Sequence, residues 1–251
     1  MSGHSKWATT KHKKAAADAK RGAIFTKVIR ELTASARSGG GNPDFNPALR
    51  VAIAHAKENN MPSDRVSEAI KRGTGELPGV SYEDCTYEAY GQGGVAILVE
   101  TLTDNKNRTA SEIRNLLSKK GGNMAGAGSV SWMFTKKGYI VVDKSTIAED
   151  KLMDIVLEAG AEDLKSEDDK NYEIYMNPSE FEKVKKALDD NKIKYDLAEV
   201  SMIPSNYVKV TGNDAKGVLG LVEALEEHED VQNVYANFDI PDEIIDEVSN
   251  G

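Results

Sequence analysis

The residues that could carry acid–base or metal chemistry are four histidines, one cysteine and an abundance of carboxylates, and their spacing organises none of it. His4, His12, His55 and His228 fall on separate segments, with no His-Glu-x-x-His or His-x-x-x-His arrangement to converge on an ion. Cys85 has no second cysteine and no histidine partner, so an intramolecular disulfide and a cysteine-rich zinc site are excluded, and a buried small hydrophobe is expected. The run Glu226-Glu227-His228-Glu229-Asp230 reads as a solvated helix end rather than a cation site. Gly91-Gln92-Gly93-Gly94 precedes a strand instead of following one, and no Gly-Lys-Ser/Thr comes after it. It predicts a hairpin turn and no phosphate cradle. The expectation is a protein without catalytic residues, metal, cofactor or small-molecule substrate.

A different chemistry fits better: recognition of a polyanion. Residues 1–72 hold 14 Lys+Arg against 6 Asp+Glu, a net of +8, while residues 73–251 hold 18 against 35, a net of −17. The two sum to the overall −9, so an acidic chain conceals a basic end. The candidate nucleic-acid contacts are His4, Ser5, Lys6, Trp7, Lys11, His12, Lys13, Lys14, Lys20, Arg21, Lys27, Arg30, Lys71 and Arg72. Lys13, Lys20 and Lys27 are seven apart and drift only about 20° per step around a helix. Arg30 continues their side, away from the apolar stripe. Trp7 either stacks on an unpaired base or anchors the basic segment to the helices. Lys71 and Arg72 also suit a helix C-terminus. Lys106, Arg108 and Arg114 form a secondary basic patch at the start of a helix, where cations oppose the dipole.

The elements that must position these residues divide the chain into an α+β protein of three domains. Residues 1–80 predict an extended basic tail and three helices. The first runs over about 14–38, with Phe25, Val28, Ile29, Leu32 and Ala36 on one face, and the second opens at Asn46-Pro47. Residues 81–135 with 205–240 predict an α/β domain, including a strand near 207–210, a helix burying Ile113, Leu116 and Leu117, and Trp132 in the core. Residues 136–204 read strand-helix-strand-strand-helix-strand, a ferredoxin-like unit inserted between those halves. Within it, Thr146-x-x-Glu149 predicts a capping box, and Leu152, Ile155, Val156 and Leu157 a buried helix face. Residues 241–251 form an acidic tail or short terminal helix. No apolar run is long enough to span a membrane and no secretory h-region is present, so the chain reads as cytosolic.

Gly3-His4-Ser5-Lys6-Trp7, Asp18-Ala19-Lys20-Arg21-Gly22, Phe25-Thr26-Lys27, Gly39-Gly40-Gly41-Asn42-Pro43, Asn60-Met61-Pro62, Ala69-Ile70-Lys71-Arg72-Gly73, Glu88-Ala89-Tyr90-Gly91 and Thr103-Asp104-Asn105-Lys106-Asn107-Arg108-Thr109 closely resemble the signature blocks of the YebC/PmpR family. The likeness runs from Ser2 to about Ile240. Thr9-Thr10-Lys11-His12-Lys13 departs from a common Asn-Ile-Lys-His-Arg but keeps its charge. The resemblance implies one helical and two α/β domains, the third inserted in the second. It implies a transcriptional regulator that binds promoter DNA or, alternatively, a translation factor that meets ribosomal RNA or tRNA and eases stalling at proline-rich stretches, as mitochondrial translational activators of the family do. A monomer is expected, with nucleic acid as partner and no membrane.

Overall fold

One asparagine ties the first two helices together. The computed structural model describes Lys6, Trp7, Thr9 and residues 21–250, the side chains of residues 21, 249 and 250 excepted. Helix α1 (Arg21–Gly39) ends in glycines, and α2 (Pro47–Glu58) begins with Pro47, whose missing N–H costs nothing in the first turn. Buried Asn46 caps α2 by accepting from the Leu49 N–H at 3.1 Å. Its amide donates back to the Ser35 and Gly40 carbonyls at 2.8 Å each. Helix α3 (Ser63–Thr74) closes the bundle on α1. The packing is so close that a Cβ on Gly73 would lie 2.4 Å from the Thr33 carbonyl oxygen. Val28, Leu32, Ala36, Leu49, Ala52 and Ala56 fill this small core.

The second domain is built on a four-stranded antiparallel sheet. Strands β1 (Glu83–Tyr90) and β2 (Ala96–Thr103) form the hairpin, turned at Gly93 and Gly94 with φ of 68° and 77°. Asn105 caps α4 (Lys106–Lys119) by accepting from the Arg108 N–H at 3.1 Å. The chain then returns through β3 (Asn123–Met124) to the edge beyond β1, a split β-α-β arrangement. After the third domain come β8 (Val208–Lys209), α7 (Gly212–Glu226), β9 (Val231–Ala236), β10 (Phe238–Asp239) and α8 (Asp242–Asn250). Strand β9 completes the sheet in the order β3-β1-β2-β9. The strand expected near 207–210 leaves the main sheet: β8 pairs in parallel with β10 as a separate two-stranded ribbon. The sheet position it vacates is filled by β1, from the other side of the insertion. Ferredoxin-like strand order therefore survives with a different connection.

The inserted domain keeps the ferredoxin-like connection, with β4 (Phe134–Asp143), α5 (Glu149–Ala159), β5 (Ala161–Lys165), β6 (Asn171–Met176), α6 (Phe181–Asp190) and β7 (Leu197–Pro204) in sheet order β5-β6-β4-β7. Buried Glu173 accepts from the hydroxyls of Tyr139 and Tyr175, both at 2.9 Å, so its charge is answered inside the protein.

Local expectations fail in four places. Thr146 does not cap α5: its hydroxyl donates to the Asp143 carbonyl at 2.6 Å, and Ala148 takes the cap position. Leu157 is exposed, because Leu152, Val156 and Ala159 define a face that excludes it. Cys85 is half-buried beside the groove between the first two domains, not in a core. Trp132, expected in the core, is 72% exposed. Val130 and Phe134 do turn inward, but the 3-10 turn Ser131–Met133 between them breaks the strand alternation and rotates the indole outward.

Candidate nucleic-acid interface

Of the opening basic segment, His4, Ser5, Lys11, His12, Lys13, Lys14 and Lys20 lie outside the described residues, as does the side chain of Arg21. Trp7 packs edge-on against Phe238, ring centroids 6.5 Å apart at 74°, and adds to the core of the second domain. The indole is thus an anchor, but to the second domain and not to the helices of the first, and Lys6, Trp7 and Thr9 are helical where an extended tail was expected. Lys6 reaches the acidic helix α8, donating to Asp246 Oδ2 at 2.6 Å and to the Asp242 carbonyl at 3.2 Å. Burial opposes its charge, but the hydrogen bond to Asp246 and the fields of Asp242 and Asp246 outweigh that and raise its pKa.

The cationic side of α1 does not face open solvent. Lys27 Nζ donates to the Glu226 carbonyl at 2.6 Å, at the C-terminal end of α7. Arg30, expected on that open side, is only 9% exposed. Its guanidinium donates to Asp230 Oδ1 and to the Glu229 carbonyl, the latter at 2.7 Å, and stands 5.7 Å from the centroid of the Tyr82 ring. The physical reason is the acidic excess of the second domain, which supplies a counter-charge 200 residues away in sequence.

Asp230 is the hub of that seam and was missed by reading its acidic run as solvated. Its side chain is 2% exposed. Oδ2 accepts from Thr109 at 2.5 Å, Arg108 at 3.1 Å and Thr103 at 3.2 Å, while Oδ1 takes Arg30. Burial alone would raise its pKa, but the hydrogen bonds from Thr109 and Arg108 and the charges of Arg30 and Arg108 hold it below the usual carboxylate range. No local sequence pattern announces this convergence.

Glu112, His228 and Asp230 present ligand-type atoms within 4.8 Å of one another. Their donors are already committed. His228 Nδ1 accepts the Asp230 N–H at 3.1 Å, its Nε2 lies 3.0 Å from Glu112 Oε2, and two guanidiniums cover the aspartate. This is an ion-pair network and not a metal-ligand set.

The remaining candidates are dispersed. Lys71 is exposed at the end of α3, and Arg72 pairs with Glu68 at 2.7 Å one turn back. In the secondary patch, Lys106 pairs with Glu83, Arg108 joins Asp104 and Asp230, and exposed Arg114 points a guanidinium nitrogen at Met124 Sδ, 3.6 Å away. A groove of about 550 Å³ between α1 and the sheet is lined by Lys27 and His55 but also by Glu31, Asp84 and Glu100, which disfavour a polyanion. His55 Nδ1 lies 3.0 Å from Glu31 Oε2, and that hydrogen bond, against the opposing effect of burial, raises the His55 pKa. Among the described residues, no helix is long and apolar enough to cross a membrane.

Comparison with known proteins covers nearly the whole chain. Residues 5–76 match a family model described as the TACO1/YebC protein N-terminal domain, and residues 82–238 match one described as the TACO1/YebC second and third domain. A relative named probable transcriptional regulatory protein, from Syntrophobacter fumaroxidans, is 54% identical over 250 residues, spanning 99% of this chain and 100% of the relative. Another of the same name, from Halothermothrix orenii, is 55% identical over 252 residues, with 99% of each chain covered. The crystal structure of a conserved hypothetical protein from Aquifex aeolicus is 43% identical and superposes with a TM-score of 0.76 over 90% of this chain and 93% of that one.

Proposed function

Since the chain belongs to the TACO1/YebC family, we propose that it is a nucleic-acid-binding regulator of gene expression that grips sugar–phosphate through its N-terminal segment. The observation that carries this reading is the segregation of charge, +8 over residues 1–72 against −17 over the remainder. With Lys6, Lys27 and Arg30 engaged in holding the domains together, phosphate binding falls to His4, Ser5, Lys11, His12, Lys13, Lys14, Lys20 and Arg21, and to exposed Lys71.

Irregular RNA, such as ribosomal RNA or tRNA on the ribosome, suits this equipment better than a duplex. Arg50 on α2 donates to the Pro43 and Asp44 carbonyls, and Arg65 and Arg72 on α3 pair with Glu68. The arginines of these helices are thereby held by the protein itself, and α1 is covered on both sides. No described helix of the module offers a row of base-reading side chains to a major groove. Backbone contacts without base contacts position a protein but do not select a sequence. The second reading is a promoter-binding transcriptional regulator, favoured by the names of the relatives.

Co-sedimentation with ribosomal particles and gel shifts on promoter duplex, run at matched salt, test the proposal. Replacing Lys11, Lys13, Lys14 and Lys20 by Gln is expected to abolish particle association. It should also flatten the salt slope of log K by roughly 0.7–0.9 for each phosphate that is no longer neutralised. Sequence-selective binding to duplex, about a thousandfold over random DNA, would transfer the function to the second reading. Absence of binding to any nucleic acid at low salt would overturn both.

A further inference from the structure

Between Glu112 and Asp143 the chain runs for 30 residues without one Asp or Glu, while carrying Arg114, Lys119, Lys120, Lys136 and Lys137. In a protein of net charge −9 this is a second basic island, separate from the N-terminal one. Arg114, Lys119, Lys120 and Lys136 are exposed, and Lys137 pairs with Glu162 at 2.6 Å.

The loop joining β3 to β4 lies at the centre of this segment and is built around one buried carboxylate. Glu88, 8% exposed, accepts the N–H groups of Gly128 at 2.7 Å, Val130 at 2.6 Å and Ser131 at 2.9 Å. Its own carbonyl accepts the Ala125 N–H at 2.7 Å. The charge of Glu88 is consumed by these amides, so the island stays electropositive outside while the loop is fixed inside. The loop displays aromatic rings. Trp132 Nε1 donates to the Ser129 carbonyl at 3.0 Å, and the Tyr90 hydroxyl donates to the same oxygen at 3.2 Å. Two ring edges are thus pinned on one atom, with Trp132 72% and Tyr90 37% exposed.

We propose that Trp132 and Tyr90 form a stacking site for an unpaired nucleobase, with Arg114, Lys119, Lys120 and Lys136 available to the adjoining phosphates. The inference rests on the nucleic-acid reading above and adds the form of the ligand and a second place of binding. A base stacks on an exposed indole whatever its identity, whereas a duplex keeps its base faces covered. Cations without carboxylates on the surrounding segment select an anionic strand over an acid-tolerant protein surface. The indole N–H is already satisfied by Ser129, so the ring offers its face and not a hydrogen bond.

Trp7 and Trp132 are the two tryptophans of the chain, so Trp7→Phe leaves Trp132 as the sole indole reporter. Titrating this variant with end-labelled oligouridylate gives binding from label anisotropy and stacking from tryptophan quenching. An abasic ribose-phosphate strand of equal length is the control. The expected result is quenching by oligouridylate and not by the abasic strand. Trp132→Ala should weaken binding about 5- to 100-fold, and Trp132→Phe should restore most of it. The same Trp132→Ala comparison in the otherwise unaltered chain covers the case in which Trp7→Phe disturbs the fold. Binding with unquenched Trp132 and an indifferent Trp132→Ala, or equal quenching by the abasic strand, overturns the stacking site and leaves the proposed function standing. Failure of the unaltered protein to bind any nucleic acid overturns both.

Discussion

Replacing Arg30 by Met tests whether one buried ion pair holds the helical module on the second domain. Removing one member of a buried pair costs about 3–5 kcal/mol when the other is left alone. Asp230 is not left alone, because Arg108, Thr109 and Thr103 still reach Oδ2. What disappears is a charge-assisted hydrogen bond, about 1.5–3 kcal/mol, and a bond to the Glu229 carbonyl, about 1 kcal/mol, partly offset by the apolar packing of Met. The net is about 2–3 kcal/mol, or roughly a 30- to 150-fold shift toward the undocked module. The linker after α3 reports on it. Leu77 and Val80 are exposed thermolysin targets, but the linker is pinned at both ends, the Leu77 N–H by the Lys71 carbonyl and the Tyr82 ring at the seam, 5.7 Å from the Arg30 guanidinium. Cleavage therefore requires opening, and its rate follows the open population when reclosing is fast. Arg30→Met should raise that rate by the stated factor, and a cycle with Asp230→Asn should give a coupling of at least about 1 kcal/mol. Unchanged cleavage, or a coupling below about 0.5 kcal/mol in folded variants, would refute the claim that this pair docks the module.

Two further outcomes follow from the packing and the titrating groups. Gly73→Ala places a methyl 2.4 Å from the Thr33 carbonyl oxygen and 2.7 Å from Ala36 Cβ, so α1 and α3 must separate. A strain of about 1–3 kcal/mol exceeds the helix-propensity gain of up to about 1 kcal/mol, and urea unfolding followed by circular dichroism should show a lower midpoint. Burial acts to raise the pKa of Glu88, but the N–H groups of Val130, Gly128 and Ser131 prevail and lower it, as Thr109 and the arginines do for Asp230. A carboxylate lowered on folding contributes stability above its unfolded pKa, about 4, and loses it as pH falls through the folded value. Thermal midpoints should therefore be level near about pH 5–6 and fall below about pH 4, and Glu88→Gln should flatten that fall while lowering the plateau.

What could be read in advance was what short-range chemistry determines. Asn46-Pro47 and Asn105 announce helix starts because the capping bond spans three residues, and both caps form. The strand-helix-strand-strand-helix-strand order of the insertion follows from apolar spacing within each element, but its first strand begins at Phe134, two residues before the expected boundary at 136, and is continuous where two strands were expected. Thr146 failed as a cap because its hydroxyl turns back to donate to the Asp143 carbonyl and the helix starts later, with Ala148 in the cap position. Trp132 failed because strand alternation holds only while the backbone stays extended, and a single 3-10 turn inverts it. Of the expected cation pattern, Lys27 and Arg30 lie within the described residues and share a side, and that side meets Glu226, Glu229 and Asp230, about which spacing was silent.

The acidic excess consequently has two roles that composition cannot separate. Part of it keeps a polyanion away from most of the surface, and part of it seats the basic module. The seat fixes geometry, because Asp230 precedes β9 at one edge of the second-domain sheet and the Trp132 loop follows β3 at the other. The Asp230 carbonyl accepts the Leu102 N–H, whereas β3 pairs with Ala89 and Tyr90 at the far end of the strands. Three strand spacings across and about five residues along place the two corners roughly 20 Å apart. An RNA held at both would gain from the second site by effective concentration, and that gain exists only while the module stays seated. Arg30→Met should then weaken RNA binding although neither basic surface is altered, and linking the module covalently to the sheet should restore it. If the loosened variant binds as tightly as the parent, the two surfaces act independently and the docking serves stability alone.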